Sequence, residues 1–126
     1  MPAVKVKAEP AAVALPITRG DDPSYTIALY TTYVAEGSAS NVVLDITGRT
    51  YSSSVSTTRG AATATATPTV TVTSAATGKI AWSMTDTQTD ALTASRYVWD
   101  LVENAGTSSE RTIIVGTLLV SGRATP

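Results

Sequence analysis

The stretch GKIAWSM-TDTQTDAL-TAS-RYVWDLVE-NAGTSSE-RTIIVGTLLV, from Gly78 to Val120, decides the fold of this chain. Its first part alternates apolar and polar side chains. This period of two predicts a strand whose buried face holds Ile80, Trp82 and Met84. The segment TDTQTDAL then predicts a single helical turn, because Asp86 is a favourable N-cap residue.

Two further strands complete this stretch. We expect Leu92 to return to the core after the helical turn, and the next strand to bury Tyr97, Trp99 and Leu101. Tyr97 stands at the start of its strand, as in a tyrosine corner, where the hydroxyl bonds to the upstream backbone. An ordinary tyrosine at the core edge is the alternative. The last strand is apolar on both faces, which predicts a central position or contact with a partner.

Working back towards the N-terminus, the same alternation predicts four more strands. They lie around Leu15 and Ile17, in SYTIALYTTYV from Ser24, in RTYSSSV up to Val55, and at Thr69 to Thr73. Seven or so short strands with regular turns predict an all-β fold, an antiparallel immunoglobulin-like β-sandwich with one short helical turn.

Residues 1–12 are rich in Ala, Pro and Lys and have few groups to bury. We interpret them as an extended N-terminal arm ahead of a sandwich domain at residues 13–126. Val4 and Val6 alternate with lysines, a pattern compatible with an added strand. A disordered tail and an arm that orders on a neighbouring subunit both remain open.

Composition narrows the classes of function. The chain has 126 residues, which suits one domain, and a net charge of -1 with scattered cations, which argues against nucleic-acid binding. It contains no His and no Cys, so Cys-ligated zinc, thiol catalysis and a histidine base are excluded. No run approaches the roughly 18 apolar residues of a membrane helix. Glu9 and Pro10 interrupt the N-terminal apolar stretch, so we expect no secretory signal.

Several short motifs have both a functional and a structural interpretation. The tripeptide Arg19-Gly20-Asp21 matches a receptor-binding RGD sequence, but we expect a turn here, because Gly20 bends the chain and Asp21 or Asp22 can cap it. Oxygen ligands for Ca²⁺ could come from Asp21 and Asp22 with Asp45, or from Asp86 with Asp90. Neither set has the spacing of a calcium loop, so we expect capping roles and no bound metal.

Asp100 and Glu103 are the nearest pair of carboxylates to the arrangement that glycoside cleavage needs. We expect Asp100 instead to bond Arg96, Arg111 or a turn backbone. No motif signals a cofactor, and we expect no enzymatic activity.

Three segments carry a resemblance to a known family. ITRGDDPSYTIAL at Ile17 to Leu29, LDITGRTY at Leu44 to Tyr51, and the block Leu92 to Val120 resemble, in order and spacing, the immunoglobulin-like module of tailed-bacteriophage tail and baseplate structural proteins. The resemblance implies a virion component in a tail, baseplate or neck that connects proteins such as fibres. The Thr- and Ala-rich segment from Thr57 to Thr73 is longer than this resemblance implies.

The expected partners are further copies of the chain and other virion structural proteins, with no nucleic acid and no membrane. The candidate interface residues are apolar side chains of the arm and of two strands: Val4, Val6, Val70, Val72, Ile114, Leu118 and Val120. A carbohydrate- or cell-surface-binding module is the alternative, with Tyr30 and Tyr33 as glycan contacts, since Tyr offers a flat apolar face and a hydroxyl. A capsid decoration protein is a further alternative.

Overall fold

The computed structural model describes residues 3–7, 13–60 and 63–122. Within these ranges the chain forms nine strands and one short helix. They are β1 (Ala3–Lys7), β2 (Leu15–Thr18), β3 (Ser24–Thr32), β4 (Val42–Val43), β5 (Tyr51–Ser56), β6 (Thr69–Ser74), β7 (Lys79–Ser83), α1 (Asp86–Asp90), β8 (Arg96–Glu103) and β9 (Arg111–Ser121).

The strands form two sheets. The first has the order β1-β3-β7-β6, with β4 paired to the end of β3, and the second has the order β2-β9-β8-β5. The pairs β1–β3 and β2–β9 are parallel. The remaining pairs are antiparallel. Three of them, β3–β4, β6–β7 and β8–β9, join strands that follow one another in the chain.

The inner faces of the two sheets meet in one apolar core. Trp82 of β7 and Trp99 of β8 pack edge to face across the layers, with ring centroids 5.8 Å apart. The Trp82 indole Nε1 also donates a hydrogen bond of 3.0 Å to Ser53 Oγ of the opposite sheet. The molecule is therefore a two-layer, mostly β fold, and the predicted all-β class is confirmed.

The predicted buried faces of β7 and β8 are confirmed, as is the return of Leu92 to the core. All seven side chains are nearly inaccessible to solvent: Ile80, Trp82, Met84, Leu92, Tyr97, Trp99 and Leu101. The strand that is apolar on both faces, β9, lies between β2 and β8 inside its sheet, which is the central position that its pattern predicts. The Tyr97 hydroxyl accepts a hydrogen bond of 3.1 Å from the Ala94 backbone N–H, so the upstream contact of a tyrosine corner is present.

The predicted N-cap of α1 is wrong by one residue. Thr85 caps the helix, since its hydroxyl accepts a bond from the Gln88 N–H at 3.2 Å. The Gln88 side-chain oxygen accepts in return from the Thr85 N–H at 2.9 Å. This reciprocal capping box needs a Gln or Glu three residues after the cap, and only Thr85 has one at that spacing. Asp86 is instead the first residue of the helix.

The strand predicted from the alternation of Val4 and Val6 is present on the chain's own first sheet. β1 runs parallel to β3 in a register from Ala3 opposite Thr26 to Lys7 opposite Tyr30. Val4 packs against the core. The Val6 side chain and the rest of the predicted arm, residues 1–2 and 8–12, lie outside the described part of the chain.

Candidate functional site

Five apolar or aromatic residues lie at the end of the first sheet where β3 and β4 pair, and in the chain that joins these two strands. We call them the tyrosine–valine patch: Tyr30, Tyr33, Val34, Val42 and Val43. The valines are 64%, 52% and 44% exposed in chain order. The two tyrosine rings lie 5.1 Å apart between centroids, tilted by 54°. An exposed apolar group of this kind is typical of a surface that contacts another molecule.

The loop between β3 and β4 holds the patch in place through one asparagine. Asn41 Oδ1 accepts a bond of 2.8 Å from the Val34 N–H, and its Nδ2 donates at 2.7 Å to the Ala35 carbonyl. Backbone bonds from Ser38 to Ala35 and from Asn41 to Ser38 close the loop further. The patch is therefore presented by a hydrogen-bonded loop.

An ion pair lies beside the patch and ties the loop to β1. Lys5 Nζ donates to both carboxylate oxygens of Glu36, at 2.6 and 2.8 Å. The hydrogen bond to Glu36 raises the pKa of Lys5, and the nearby Tyr30 and Tyr33 add to this rise. Because the Glu36 side chain is largely exposed, this pair adds little to stability. It places one charge of each sign at the rim of the patch.

A groove lies on the outer face of the second sheet. We call it the outer groove. It encloses about 410 Å³ and is lined by strands β5, β8 and β9 and by the chain after β5: Ser54, Ser56, Thr58, Arg59, Gly60, Ala64, Val98, Trp99, Asp100, Thr112 and Val115. The chain after β5 folds back beside that strand, because Val55 and Ala66 bond through their backbones at 2.9 and 3.1 Å.

Asp100 is the acidic side chain of the outer groove. Its Oδ1 accepts a bond of 2.9 Å from the Ser54 N–H on the neighbouring strand β5. Burial raises the pKa of this half-buried carboxyl, and the bond from Ser54 offsets the rise only in part. Asp100 was predicted to bond Arg96, Arg111 or a turn backbone. Its partner is a backbone N–H, but that of Ser54 within strand β5, while Arg111 bonds Glu103.

Glu103 lies at the end of β8 with only 3% of its surface exposed. Its carboxylate accepts bonds from Tyr51 Oη at 2.6 Å, Arg111 Nε at 2.9 Å and Arg49 Nη1 at 3.2 Å. Burial alone would raise the pKa of Glu103, but these three bonds outweigh it and hold the pKa below its ordinary value. The cluster joins β5, β8 and β9 and is a structural brace.

Most candidate interface residues face the protein's own core. Ile114, Leu118 and Val120 are buried between the sheets, so their assignment to a partner interface is wrong for this fold. The reason is that β9 lies between β2 and β8 in its sheet, and the first sheet covers the inner face of β9. Val70 and Val72 are half-buried and pack against the core, as Val4 does. The structure does bring Tyr30 and Tyr33 together, as described above.

The Arg19-Gly20-Asp21 tripeptide is docked on the segment around α1. Arg19 Nε donates to the Leu92 carbonyl at 2.6 Å, and the Gly20 N–H donates to Thr89 Oγ1 at 3.0 Å. Gly20 has a φ of 85°, a left-handed conformation that favours glycine. The tripeptide therefore has the structural role that its turn chemistry predicts.

Three of the aspartates considered as calcium ligands, Asp22, Asp45 and Asp86, accept hydrogen bonds from backbone N–H groups. Asp45 Oδ1 accepts from the Thr47 N–H and hydroxyl, at 3.0 and 2.6 Å, and these bonds lower the pKa of Asp45. Asp22 accepts from the Asp86 N–H at the start of α1. Among residues 3–7, 13–60 and 63–122, no group of three or more His, Cys, Asp or Glu side chains could hold a metal ion.

Asp100 and Glu103 do not share a cleft. Alternation along β8 places Glu103 on the inner face with Tyr97, Trp99 and Leu101, and Asp100 on the outer face. Two carboxyl groups on opposite faces of a strand cannot flank one glycosidic bond. The described part of the chain contains no helix long and apolar enough to cross a membrane.

Sequence comparison finds no protein-family model and no curated protein that matches this chain. The site must therefore be interpreted from its own geometry. Sequence reasoning missed the exposed Val34 and the brace around Glu103. A signal for the brace was present, since Glu103 continues the alternation of Tyr97, Trp99 and Leu101 and so falls on the buried face.

Proposed function

We propose that this protein is a non-enzymatic structural component of a virion. In this proposal it assembles in several copies in a tail, baseplate or neck and connects other virion proteins such as fibres. The observation that carries it is the tyrosine–valine patch, with Val34 exposed on a hydrogen-bonded loop and Val42 and Val43 exposed on β4. Burial of these exposed valines against a partner lowers the free energy, because it removes apolar surface from water. In an alternative version of this proposal, the protein decorates the surface of a capsid.

The strand order supports an immunoglobulin-like type of sandwich. In this interpretation, strands β3-β7-β6 take the places of B-E-D and strands β9-β8-β5 those of G-F-C. Trp99, on the strand equivalent to F, packs on Trp82 of the facing sheet, and the Tyr97 hydroxyl bonds to the backbone before it. The parallel β1 is a departure, since it adds an edge to the first sheet beside β3.

Association of identical copies fits the charges around the patch. Lys5 and Glu36 place opposite charges next to one another at its rim. In a two-fold contact each copy presents the same surface, so the Lys5 of one copy can approach the Glu36 of another. Such pairing orients the contact, while burial of the valines supplies most of the free energy.

The test is the mass of the full chain in solution, measured by light scattering over a range of concentrations. The variant Val34→Thr/Val42→Thr/Val43→Thr keeps the branched shape of each side chain but adds hydroxyls. We expect the unmodified chain to associate and the triple variant to shift towards monomer. Leu119→Gln is the matched control, because Leu119 is an exposed apolar residue elsewhere. Equal masses for all three proteins would contradict a role of the patch in self-association.

The tyrosine pair supports a second candidate function, a carbohydrate-binding module. Two half-exposed rings 5.1 Å apart offer apolar faces on which a sugar ring can stack, and the adjacent Glu36 can accept sugar hydroxyls. A glycan screen with the full chain tests this reading. Binding that is lost in both Tyr30→Ala and Tyr33→Ala would support it. Binding that survives both changes, or no binding at all, would contradict it.

A further inference from the structure

The outer groove contains a carboxylate with few partners. Asp100 is half-buried, yet within the described part of the chain it forms no ion pair, and its carboxylate accepts one hydrogen bond, from the Ser54 N–H. A carboxylate has acceptor sites for about four hydrogen bonds. The remaining sites of Asp100 face a groove of about 410 Å³.

Glu103 on the same strand shows how this protein satisfies a buried carboxylate that serves the fold. Two arginines and a tyrosine surround it, and all three donate to its oxygens. Among the residues that the structure describes, only the Ser54 N–H donates to Asp100. A half-buried carboxylate that accepts one hydrogen bond and has no counter-charge among the described residues is open to a cationic ligand that enters the groove.

We propose that the outer groove binds a basic side chain, Arg or Lys, from a segment of a partner protein, with Asp100 as its counter-charge. Hydroxyls of Ser54, Ser56 and Thr112 line the same groove and can accept further N–H bonds from the incoming cation. The floor includes Val98 and Val115, which can contact the aliphatic stem of a long basic side chain. This proposal does not depend on the proposed function.

Arg59 offers a second contact to the same partner segment, a hydrogen-bond donor beside Asp100. It is exposed, lines the groove, and forms no ion pair within the described residues. Its guanidinium can donate to a carbonyl or carboxylate next to the basic residue of the partner, so the groove favours a peptide over a simple amine. The upward shift in the pKa of Asp100 agrees with this, because an incoming cation would relieve the cost of burying the charge.

The experiment uses the full chain labelled with ¹⁵N and a blocked arginine, N-acetyl-arginine methylamide. Its matched control is the citrulline analogue, which has the same length and shape but no charge. We expect the arginine probe to cause saturable shifts in the amide signals of Ser54, Ser56 and Thr112. We expect the citrulline analogue to bind about tenfold more weakly, because a charge-assisted hydrogen bond is lost.

The variant Asp100→Asn tests the residue itself. Asparagine keeps an acceptor for the Ser54 N–H, so the variant should fold, and its amide spectrum and thermal melt check this. We expect it to bind the arginine probe about tenfold more weakly than the unmodified chain. Equal binding of the arginine and citrulline probes, unchanged binding by Asp100→Asn, or no saturable shift at all would overturn the proposal. Tighter binding of a neutral sugar at the same amides would overturn it too.

Discussion

The substitution Gly116→Ala tests how the second sheet is closed. Gly116 on β9 lies directly opposite Trp99 on β8. The Trp99 indole Nε1 donates a hydrogen bond of 2.9 Å to the carbonyl of Val13, which lies just before β2. A Cβ atom at position 116 would stand 1.8 Å from that carbonyl oxygen and 2.9 Å from the indole nitrogen. The added methyl group and the hydrogen bond cannot occupy the same space.

The expected loss of stability follows from these distances. The Val13 segment must move by more than an ångström, because a Cβ–oxygen contact of 1.8 Å is far below any van der Waals distance. Breaking the bond leaves a buried indole N–H without an acceptor, which costs about 1–3 kcal/mol, and the overpacking costs about the same again. The better intrinsic stability of Ala in a strand offsets roughly 0.5–1 kcal/mol. We expect a net loss of about 3 kcal/mol, a melting point lower by about 10 °C.

Denaturation followed by tryptophan fluorescence measures this change, because Trp82 and Trp99 are fully buried in the native protein. Gly122→Ala is the matched control, since its new Cβ would meet no atom closer than Arg19 Nη1 at 3.8 Å. We expect the control to change stability by less than about 0.5 kcal/mol. In a Trp99→Phe background Gly116→Ala should cost less, because the hydrogen bond is already absent. Equal stabilities for the two glycine variants would refute this account of the sheet closure.

Three further predictions concern other parts of the fold. Gly78→Ala should lower the free energy of unfolding by about 2–3 kcal/mol, which a urea titration measures. Position 78 has a φ of 70°, and an added Cβ would lie 2.6 Å from two backbone carbonyl oxygens. Glu103→Gln should lower the free energy of unfolding by about 2 kcal/mol, since one carboxylate accepts from three donors. Asp100→Asn on the same strand should change it by less than about 0.5 kcal/mol in either direction, because asparagine keeps an acceptor for the Ser54 N–H. A similar loss in both variants would contradict the brace. In acid, Glu103 should contribute stability that is complete above its ordinary pKa of 4.5 and is lost as the pH falls through its lower folded pKa. Thermal melts across that pH range should therefore depend less on pH in Glu103→Gln than in the unmodified chain.

The buried faces of β7 and β8 could be predicted from the sequence because strand alternation is a local property. Successive side chains of a strand point to opposite faces, so Ile80, Trp82 and Met84 must share one side whatever the rest of the chain does. The two tryptophans are the largest apolar groups, and this made them core residues in any sandwich. The helix cap was missed by one residue because Thr85 and Asp86 are both good caps. The reciprocal bond from Gln88 selects between them.

The candidate surfaces could be predicted only in part. Tyr30 and Tyr33 were each proposed as glycan contacts from the sequence, and the structure adds that their rings lie side by side. The apolar face of β9 that was assigned to a partner is covered by the first sheet instead. Alternation shows that a face is apolar but not what covers it, and in this protein another part of the same chain covers it.

The sequence alone determined the class of fold, the inner faces of its main strands and the positions of most turns, because these depend on side chains close together in the chain. Only the tertiary structure decided which carboxylate is a brace and which lines an open groove. Glu103 and Asp100 are three residues apart on one strand, but their partners Arg49, Tyr51 and Ser54 come from about fifty residues earlier. The role of Gly116 likewise depends on Val13, which reaches it only after the sheets have closed. Contacts between distant segments set the environment of a charge, and no local pattern encodes them.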